Sequence, residues 1–217
     1  MSTRERLTRY WPLFGLELIT PRLQLAPLSD DDLAELIGVV NAGVHDPELM
    51  PFLFPWTREE PEERARNSLK HWWSTRATIA ADAWSISFGV RFEGRLVGVQ
   101  HVEAKKFATV RHVETGSWIG LAEHGRGIGT EMRAAVLQFA FDTLGAQSAS
   151  SGAFVDNEKS LRVSAKLGYQ PNGIGWHDRE GRRTEETLLL VTPETFRRPD
   201  WSLQVRGFEA CKAQLGL

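Results

Sequence analysis

The sequence predicts an α/β protein with a mixed sheet, because strand-like and helix-like segments alternate along most of the chain. Two observations carry this prediction. A strand-like segment ends in the glycine-rich stretch HGRGIGT at residues 124–130, and an amphipathic helix follows it. A second strand-like segment ends just before Asn157, which is a favourable N-cap residue for another helix. The predicted order is strand, two helices, hairpin, strand, helix, strand, helix and two strands.

The N-terminal part of the chain supplies the first strand and two helices. Residues 18–26 alternate well enough for a strand, and Ser29 can cap a helix that runs to about Asn41. Thr57 and Glu60 have the spacing of a capping box, which predicts a second helix through Trp73. The segment 45–56 between them combines three prolines with apolar side chains. Such a segment fits a pocket wall, a dimer contact or a plug of the core.

The remaining elements follow in order along the chain. They are a hairpin at 84–92 and 95–103, a strand at 112–121, a helix from 130, a strand at 149–155, a helix at 157–167, a weak strand from 169 and a firm strand at 186–192. The hairpin turns at Glu93 and Gly94, a pair suited to a two-residue turn. The helix from 130 carries a broad apolar stripe, so we expect it to be deeply buried against the sheet.

Length, charge and cysteine content narrow the class of protein. The 217 residues contain no linker or repeat, which favours a single domain (1–217) with a core at about 17–192 and an extension at 193–217. A net charge of −2 gives no electrostatic reason to bind nucleic acid or an anionic membrane. The single cysteine, Cys211, excludes an internal disulfide and favours a reducing compartment. Without a signal peptide or an apolar run of ~20 residues, we expect a soluble, cytoplasmic protein.

The glycine-rich stretch predicts an anion site. Gly125, Gly127 and Gly129 allow the backbone to turn sharply and leave its N–H groups uncovered, and the start of the next helix adds positive potential. No Lys-Ser/Thr pair follows, so this is not a P-loop, and Met132 stands where a dinucleotide-binding fingerprint needs its third glycine. The expected ligand is a phosphate or pyrophosphate; a purely steric turn is the alternative.

A second block gives the pattern its specificity. VDNEKS at residues 155–160 is followed by KLGY at 166–169. In this order and spacing, the two blocks resemble those of GNAT-superfamily N-acyltransferases of the RimJ/RimL branch, from about Arg22 to Thr192. The segments 11–14 and 45–51 are similar to an actinobacterial subgroup that includes succinyltransferases. The resemblance implies a single-domain GNAT fold, with a mixed, mostly antiparallel central sheet flanked by helices. The family's sheet splays between its fourth and fifth strands, where the acyl-CoA arm fits.

The resemblance also implies which residues hold acyl-CoA. The pyrophosphate would lie on the turn and the helix start, and the pantetheine amides would pair with the end of the preceding strand, where one N–H could polarise the thioester carbonyl. His124 stands where the family usually has Arg or Gln, which puts a side-chain contact there in doubt. Whether Arg126 reaches a phosphate or is an ordinary loop arginine stays open. The implied cofactor-binding residues are Trp118, Ile119, Gly120, Leu121, Gly125, Arg126, Gly127, Ile128, Gly129, Thr130, Asn157 and Ser160.

Glu114 and Ser160 are the predicted catalytic residues. Glu114 shares a strand face with Gly116 and Trp118, at a place where RimJ-like members often carry a carboxylate. Beside a partly apolar cleft such a carboxylate would have a raised pKa and could accept the proton of an amine. A solvent-facing glutamate is the alternative. Ser160 would donate a hydrogen bond to the departing CoA thiolate, or would only serve the helix start. Many family members have a general-acid tyrosine at the position of Ser164, and this chain lacks it.

The predicted function is transfer of an acyl group from acetyl-CoA, with succinyl-CoA as the open alternative, to a primary amine by direct attack in a ternary complex. A non-catalytic acyl-CoA-binding or regulatory protein on the same fold is the other reading. The acceptor could be a protein N-terminus, a lysine or a small amine. A succinyl donor would need a cation, which Arg or His in the segments 45–58 and 176–183 could supply. No spacing predicts a metal site. By resemblance we expect a homodimer or higher homo-oligomer, with the tail 201–217 as one candidate contact.

Overall fold

The computed structural model describes residues 3–217, so the start of the predicted domain at residue 1 lies outside the described part. Nine strands form one sheet. They are β1 (Glu17–Ile19), β2 (Leu23–Pro27), β3 (Ala83–Phe92), β4 (Arg95–Lys105), β5 (His112–Ile119), β6 (Ser148–Phe154), β7 (Gln170–Arg179), β8 (Arg182–Val191) and β9 (Gln204–Arg206). Their order across the sheet is β7-β8-β6-β5-β4-β3-β2-β1-β9. Among the strands of residues 3–217, only β5 and β6 pair in parallel, which confirms the predicted α/β class with a mixed, mostly antiparallel sheet.

Helices cover both faces of the sheet. They are α1 (Thr3–Thr8), α2 (Asp30–Ala42), α3 (Pro61–Ala77), α4 (Phe107–Val110), α5 (Ile128–Gln138), which continues as a π-helix over Phe139–Leu144, α6 (Glu158–Lys166) and α7 (Phe208–Cys211). Short 3-10 turns lie at Pro12–Gly15, Trp56–Arg58, Leu121–Glu123 and Lys212–Leu215. The larger core packs α5 against one face, and a smaller core packs α2 and α3 against the other. None of the described helices is both long and apolar enough to cross a membrane.

The helix starts show where local patterns held. Ser29 caps α2 as predicted: its hydroxyl accepts from the N–H of Asp32, and the Asp32 carboxylate accepts from the N–H of Ser29. The predicted capping box at Thr57 and Glu60 is wrong. Residues 56–58 form a separate 3-10 turn, and α3 begins at Pro61 without a side-chain cap. A proline fits the first position of a helix because its φ is already helical and its missing N–H would have no partner there.

The predicted first strand at 18–26 is two strands. A turn at residues 20–22 separates β1 from β2, and the two pair with each other in antiparallel fashion. Thr20 closes the turn: its N–H donates to the Leu23 carbonyl (3.0 Å), and its hydroxyl accepts from the Leu23 N–H (2.9 Å). Pro21 favours such a reversal. The apolar alternation at 18–26 therefore comes from two strands, one on each side of the turn, rather than from one.

The sheet opens between β5 and β6. These strands pair over only three positions, from His112 with Ser148 to Glu114 with Ser150. Beyond that point β5 stays paired with β4 as far as Ile119, and β6 stays paired with β8 as far as Phe154. The second halves of β5 and β6 are therefore held by different neighbours. The opening lies between the fourth and fifth predicted strands, where the resemblance implied it.

The C-terminal tail is part of the sheet and core. β9 pairs with β1, and the Leu215 carbonyl accepts a hydrogen bond from Trp84 Nε1 (3.1 Å). Cys211 and Leu215 are fully buried. Burial raises the pKa of the Cys211 thiol to about 11, so it stays protonated near neutral pH and is a poor nucleophile. The core thus extends past residue 192, and the apolar side chains of this tail pack on their own chain.

Candidate active site

A cleft of about 1130 Å³ lies where β5 and β6 separate. One side, which we call the glycine-turn half, consists of the end of β5, the glycine-rich turn, α5 and α6 (residues 116–133 and 151–166). The other side, the aromatic half, consists of residues 44–75 with the facing side chains of β3 and β4. The two halves differ in what they present to a ligand. The first presents main-chain N–H groups and cations, and the second presents aromatic rings, histidines and carboxylates.

Two left-handed glycines shape the turn. Gly125 and Gly127 both have φ of +79°, and Gly127 is the N-cap of α5. A side chain at Gly127 would also approach the guanidinium of Arg22 at 3.3 Å. That guanidinium donates to the Arg126 carbonyl (3.1 Å) and to the Glu131 carboxylate (2.6 Å), so it ties the turn to the start of α5. The tight backbone therefore depends on glycine at 127 and on one ion pair, between the exposed Arg22 and the buried Glu131.

The first turn of α5 has N–H groups without helical partners. The N–H groups of Thr130 and Glu131 already donate to the Gly127 carbonyl (3.2 and 3.1 Å). Ile128 and Gly129 precede them and have no carbonyl one turn back to receive their N–H groups. Both residues, with Thr130, line the cleft. This is the arrangement that holds phosphate oxygens at helix N-termini.

Arg126 points away from this site. Its guanidinium pairs with Glu123 and lies 4.5 Å from the centre of the Phe92 ring, and Arg126 is not among the residues that line the cleft. Three cations of α6 line the cleft instead: Lys159, Arg162 and Lys166. Positions 159, 162 and 166 fall on one helix face, so α6 turns a basic stripe toward the glycine-rich turn.

His124 also lines the cleft. Its Nε2 lies 3.3 Å from the Ile119 carbonyl oxygen, and its Nδ1 lies 3.4 Å from Lys159 Nζ. Burial, with a further contribution from Lys159, lowers the pKa of His124 below its ordinary value of 6.5. The imidazole is therefore neutral near pH 7, and it contacts the strand end rather than supplying a charge to a phosphate.

Two of the four predicted strand-end residues use their N–H groups within the protein. Gly120 donates to the Val97 carbonyl of β4 (2.8 Å), and Leu121 donates to the Gly43 carbonyl (2.9 Å). Neither residue lines the cleft. Their N–H groups are therefore committed to holding the strand end against β4 and α2.

The N–H groups of the other two strand-end residues, Trp118 and Ile119, point to opposite sides of β5. In an antiparallel pair, successive N–H groups alternate between the two sides of a strand. Because the Gly120 N–H points to β4, the Trp118 N–H points there too, while those of Ser117 and Ile119 point into the opening. Of the predicted strand-end residues, Ile119 is thus the one that offers an N–H to a ligand. Trp118 contributes its ring, which lines the cleft.

The second predicted block is placed as its sequence indicated. Asn157 caps α6: its side-chain oxygen accepts from the Ser160 N–H (3.2 Å). Both residues line the cleft across from the glycine-rich turn. Within residues 3–217 the Ser160 hydroxyl has no hydrogen-bond partner, so it is able to donate to a ligand.

Glu114 does not line the cleft. It is exposed on β5, on the face it shares with Trp118, and it lies opposite Glu103 of β4. Glu103 and its neighbour His101 do line the cleft, at its aromatic half. The polar groups that the fold brings into the cleft at this level therefore come from the strand next to the predicted one.

His101 is the centre of a hydrogen-bonded cluster. Its Nε2 lies 2.7 Å from Ser85 Oγ and 3.2 Å from Glu103 Oε2, and its Nδ1 lies 3.2 Å from Ser87 Oγ. The hydrogen bond with His101 lowers the pKa of Glu103, so this carboxylate is charged. From α3, His71 lines the same wall, and burial lowers its pKa.

A chain of rings forms the wall of the aromatic half. The ring centres of His45 and Phe52 lie 5.7 Å apart, those of Phe52 and Trp56 lie 5.1 Å apart, and those of Trp56 and Trp118 lie 5.9 Å apart. Of the three readings of the segment 45–56, a pocket wall matches its place in the structure. Within residues 3–217 no cluster of three or more His, Cys, Asp or Glu is arranged to hold a metal ion.

Arg133 of α5 is a cleft residue that the sequence argument missed. It is almost fully buried and bridges Ser117 of β5 and Ser164 of α6. In the sequence, Arg133 is one polar position on a helix with a broad apolar stripe, and no local pattern marks it as a site residue. Its contacts with Ser117 and Ser164 depend on how β5 and α6 are placed around the opening between β5 and β6.

A sheet that opens beside a glycine-rich helix N-terminus, with a basic helix opposite, is the arrangement of a site for a ligand with phosphate groups. The sequence profile of the acetyltransferase (GNAT) domain matches residues 22–170, which is most of the chain. The protein belongs to this family of acetyltransferases. Acetyltransferases of this family use acetyl-CoA.

Solved structures of related enzymes share the fold. RimJ from Mycobacterium smegmatis, in complex with CoA-disulfide, is 19% identical over 92% of each chain, with a TM-score of 0.70. A GCN5-related N-acetyltransferase from Brucella melitensis is 20% identical over 82% of this chain and 79% of that chain, with a TM-score of 0.65. The microcin C7 self-immunity acetyltransferase MccE, in complex with acetyl-CoA and AMP, is 14% identical over 80% of this chain and 93% of that chain, with a TM-score of 0.61. At these identities the likeness shows the fold alone.

Proposed function

We propose that this protein transfers an acetyl group from acetyl-CoA to a primary amine, by direct attack of the amine on the thioester in a ternary complex. One observation carries the proposal. The open edge of β5, with the Ile119 N–H, lies beside the unused N–H groups of Ile128 and Gly129 in one cleft. A long ligand with phosphates at one end and amides and a carbonyl at the other matches this order of donors.

The phosphate end of acetyl-CoA would bind at the start of α5. Gly125 and Gly127 provide the turn, and Ile128 and Gly129 provide the N–H groups that would face the phosphates, while Thr130 lines the cleft beside them. We assign the neighbouring positive charge to Lys159, because it lines the cleft while Arg126 is paired with Glu123. Asn157 keeps its place as the cap that positions α6.

The reacting end would lie at the opening of the sheet. The Ile119 N–H would polarise the thioester carbonyl, and a single such donor lowers the barrier by roughly 2.7–4 kcal/mol in characterised enzymes. Ser160, with its free hydroxyl, would donate to the sulfur. Positioning the amine and the thioester together supplies most of the remaining rate.

Two groups are candidates for the base that takes the proton of the amine. Glu114 follows from the family resemblance, but it is exposed and outside the cleft lining. His101 lines the cleft, and Glu103 accepts a hydrogen bond that would stabilise the protonated imidazole. Histidine is the side chain that most often serves as a general base. We therefore favour His101, held by Glu103, and keep Glu114 as the competing assignment.

Acetyl is the donor group that the cleft supports best. A succinyl donor needs a cation for its carboxylate, and the sequence offers Arg and His in the segments 45–58 and 176–183 for this role. Arg58 pairs with Glu180 (2.9 Å), and Arg179 pairs with Asp156 (3.0 Å). His45 of these segments lines the cleft, with its Nε2 2.7 Å from the Thr57 hydroxyl. Succinyl transfer through His45 stays the alternative.

The acceptor would enter through the aromatic half. Its rings would cover the apolar part of an amine substrate, while Asp46, Glu59 and Glu103 line the same space and would attract its cationic nitrogen. A protein N-terminus, a lysine side chain and a small amine all have this chemistry.

A homodimer is part of the proposal. β7 is an edge strand of the sheet and exposes Ile174 and Trp176, which are features of a strand that pairs with a second copy. Light scattering of the purified protein distinguishes a dimer, which we expect, from a monomer.

Titration calorimetry with acetyl-CoA, succinyl-CoA and free CoA tests the coenzyme site, and thiol release with a panel of amines tests turnover. We expect all three ligands to bind and at least one amine to be acetylated. Binding without turnover on any amine would favour a non-catalytic acyl-CoA-binding protein. Absence of binding to all three would overturn the proposed function.

A further inference from the structure

Arg133 carries a positive charge in the wall of the cleft without a negative partner. The residue is 4% exposed. Its Nη1 donates to Ser164 Oγ (2.8 Å) and its Nη2 donates to Ser117 Oγ (3.0 Å). Its Nε is buried without a hydrogen-bond partner. Within residues 3–217, no carboxylate lies within ion-pair distance of this guanidinium.

The titratable groups around Arg133 do not neutralise it. Tyr169 is the acidic group that interacts electrostatically with Arg133, but burial raises the pKa of Tyr169 and its hydroxyl is bonded to Thr115 (2.9 Å), so it remains a neutral phenol. On α6, Lys159 and Lys166 also line the cleft, and both are cations. Burial lowers the pKa of Arg133, but an arginine side chain stays protonated in proteins. The charge is therefore uncompensated.

Joining β5 to α6 does not require this charge. Ser117 and Ser164 are neutral hydroxyls, and neutral side chains can bond to them without the desolvation penalty of a buried cation. The guanidinium lies at the opening of the sheet, on the face of β5 opposite to Trp118 and His101. An anion that exists only while the cleft is occupied would give the charge its partner.

We infer that Arg133 stabilises the thiolate that leaves acyl-CoA, an inference that rests on the proposed function. The amine nitrogen bonds to the carbonyl carbon, the carbon–sulfur bond breaks, and its electron pair stays on sulfur. The proton of the amine goes to the base in the aromatic half, on the other face of β5. Arg133 meets the new negative charge directly, so the thiolate can leave before it is protonated.

The test compares CoA with desulfo-CoA, which lacks the thiol, in the wild type and in Arg133→Met. We expect the wild type to bind CoA more tightly than desulfo-CoA, increasingly so as the pH rises and the thiol ionises, by about tenfold or more. Arg133→Met should lose this difference and keep its affinity for desulfo-CoA, and its kcat should fall without a change in the KM for the amine. Arg133→Lys should keep part of the difference.

The controls separate this inference from others. Arg198→Met removes a surface arginine paired with Asp142. This variant should change neither the ratio of the affinities for CoA and desulfo-CoA nor the turnover. An unchanged CoA to desulfo-CoA ratio in Arg133→Met would overturn the inference. So would a variant that loses only a preference for succinyl-CoA over acetyl-CoA, because the charge would then serve the acyl carboxylate. If Arg133→Met does not fold, an absence of the pH-dependent difference in the wild type overturns the inference equally. Failure of the wild type to bind either ligand would instead refute the proposed coenzyme site.

Discussion

The two halves of the cleft are built in different ways. The glycine-turn half takes its ligand-facing N–H groups from one continuous stretch, the end of β5 through the first turn of α5. The aromatic half is assembled from a loop, a helix and two strands, and it acts through side chains such as Trp56 and His101. A main-chain site is sensitive to backbone conformation and tolerant of side-chain identity. A side-chain site has the opposite sensitivity.

The aromatic half should hold the largest single effect, because the proposed base is one side chain. His101→Asn should lower kcat by roughly 10²–10⁴-fold, the usual contribution of a general base, with CoA affinity unchanged. Glu114→Gln is the matched comparison and should change kcat little, since Glu114 is exposed outside the cleft lining. Steady-state kinetics at saturating acetyl-CoA measures both. The reverse ranking would return the base to Glu114.

The glycine-turn half should respond to backbone change. At Gly127, which has φ of +79°, an alanine costs roughly 1–2 kcal/mol if the turn is kept, or shifts the turn if it is not. Gly127→Ala should therefore weaken CoA binding by about tenfold. Gly38→Ala is the control, since it adds a methyl group within α2, where nothing lies within 4 Å. Calorimetry should show unchanged CoA affinity for that variant; equal affinity of wild type and Gly127→Ala would refute the turn as the phosphate site.

The separation of the halves predicts that acceptor and coenzyme binding respond independently. Trp56 contacts the rings of Phe52 and Trp118. Trp56→Ala should remove about 1 kcal/mol of aromatic contact, raising the KM for the amine about fivefold while leaving CoA affinity unchanged. Tyr10→Ala, at an exposed ring outside the cleft, is the control. A loss of CoA affinity in Trp56→Ala would show that the halves are coupled.

The smallest effect concerns stability against acid, and each half contributes one histidine. Burial lowers the folded-state pKa of His71 in the aromatic half and of His124 in the glycine-turn half. Neutral imidazoles are therefore favoured by folding. Their contribution to stability is present above the ordinary pKa of 6.5 and is lost as the pH falls from there through the folded-state values.

Urea unfolding just above and well below pH 6.5 measures this loss. His71→Asn and His124→Asn should each show a weaker fall in the free energy of unfolding over that window than the wild type does. His45→Asn is the comparison within the same cleft. A fall as steep in both variants as in the wild type would assign the acid sensitivity to other groups.

Local sequence patterns predicted parts of the fold and much of the glycine-turn half. The capping of α2 by Ser29 and of α6 by Asn157, the hairpin turn at Glu93 and Gly94, and the conformation of the glycine-rich turn all agree with the structure. Each depends on contacts within a few residues, such as a cap bond or a φ that only glycine adopts easily. The local prediction was wrong where two helix-start patterns lay close together: α3 begins at Pro61 and not at the capping box predicted from Thr57.

The aromatic half could not be read in this way. Counting back from the hairpin turn would place Ser85 opposite Val102, but a bulge in the β3–β4 pair shifts the register so that Ser85 lies opposite Glu103. That single shift puts Ser85, Ser87, His101 and Glu103 on one face. No local sequence pattern near these four residues predicts the bulge.

The sequence by itself determined most of the order of elements, the conformation of the glycine-rich turn and the class of fold, because these follow from interactions between near neighbours in the chain. The tertiary structure alone decided which strand-end N–H faces the opening, that His101 rather than Glu114 lines the cleft, and that Arg133 is buried without a counter-ion. Strand register, the side to which an edge faces and the absence of a charged partner are set by residues far apart in sequence, so they exist only once the sheet has assembled.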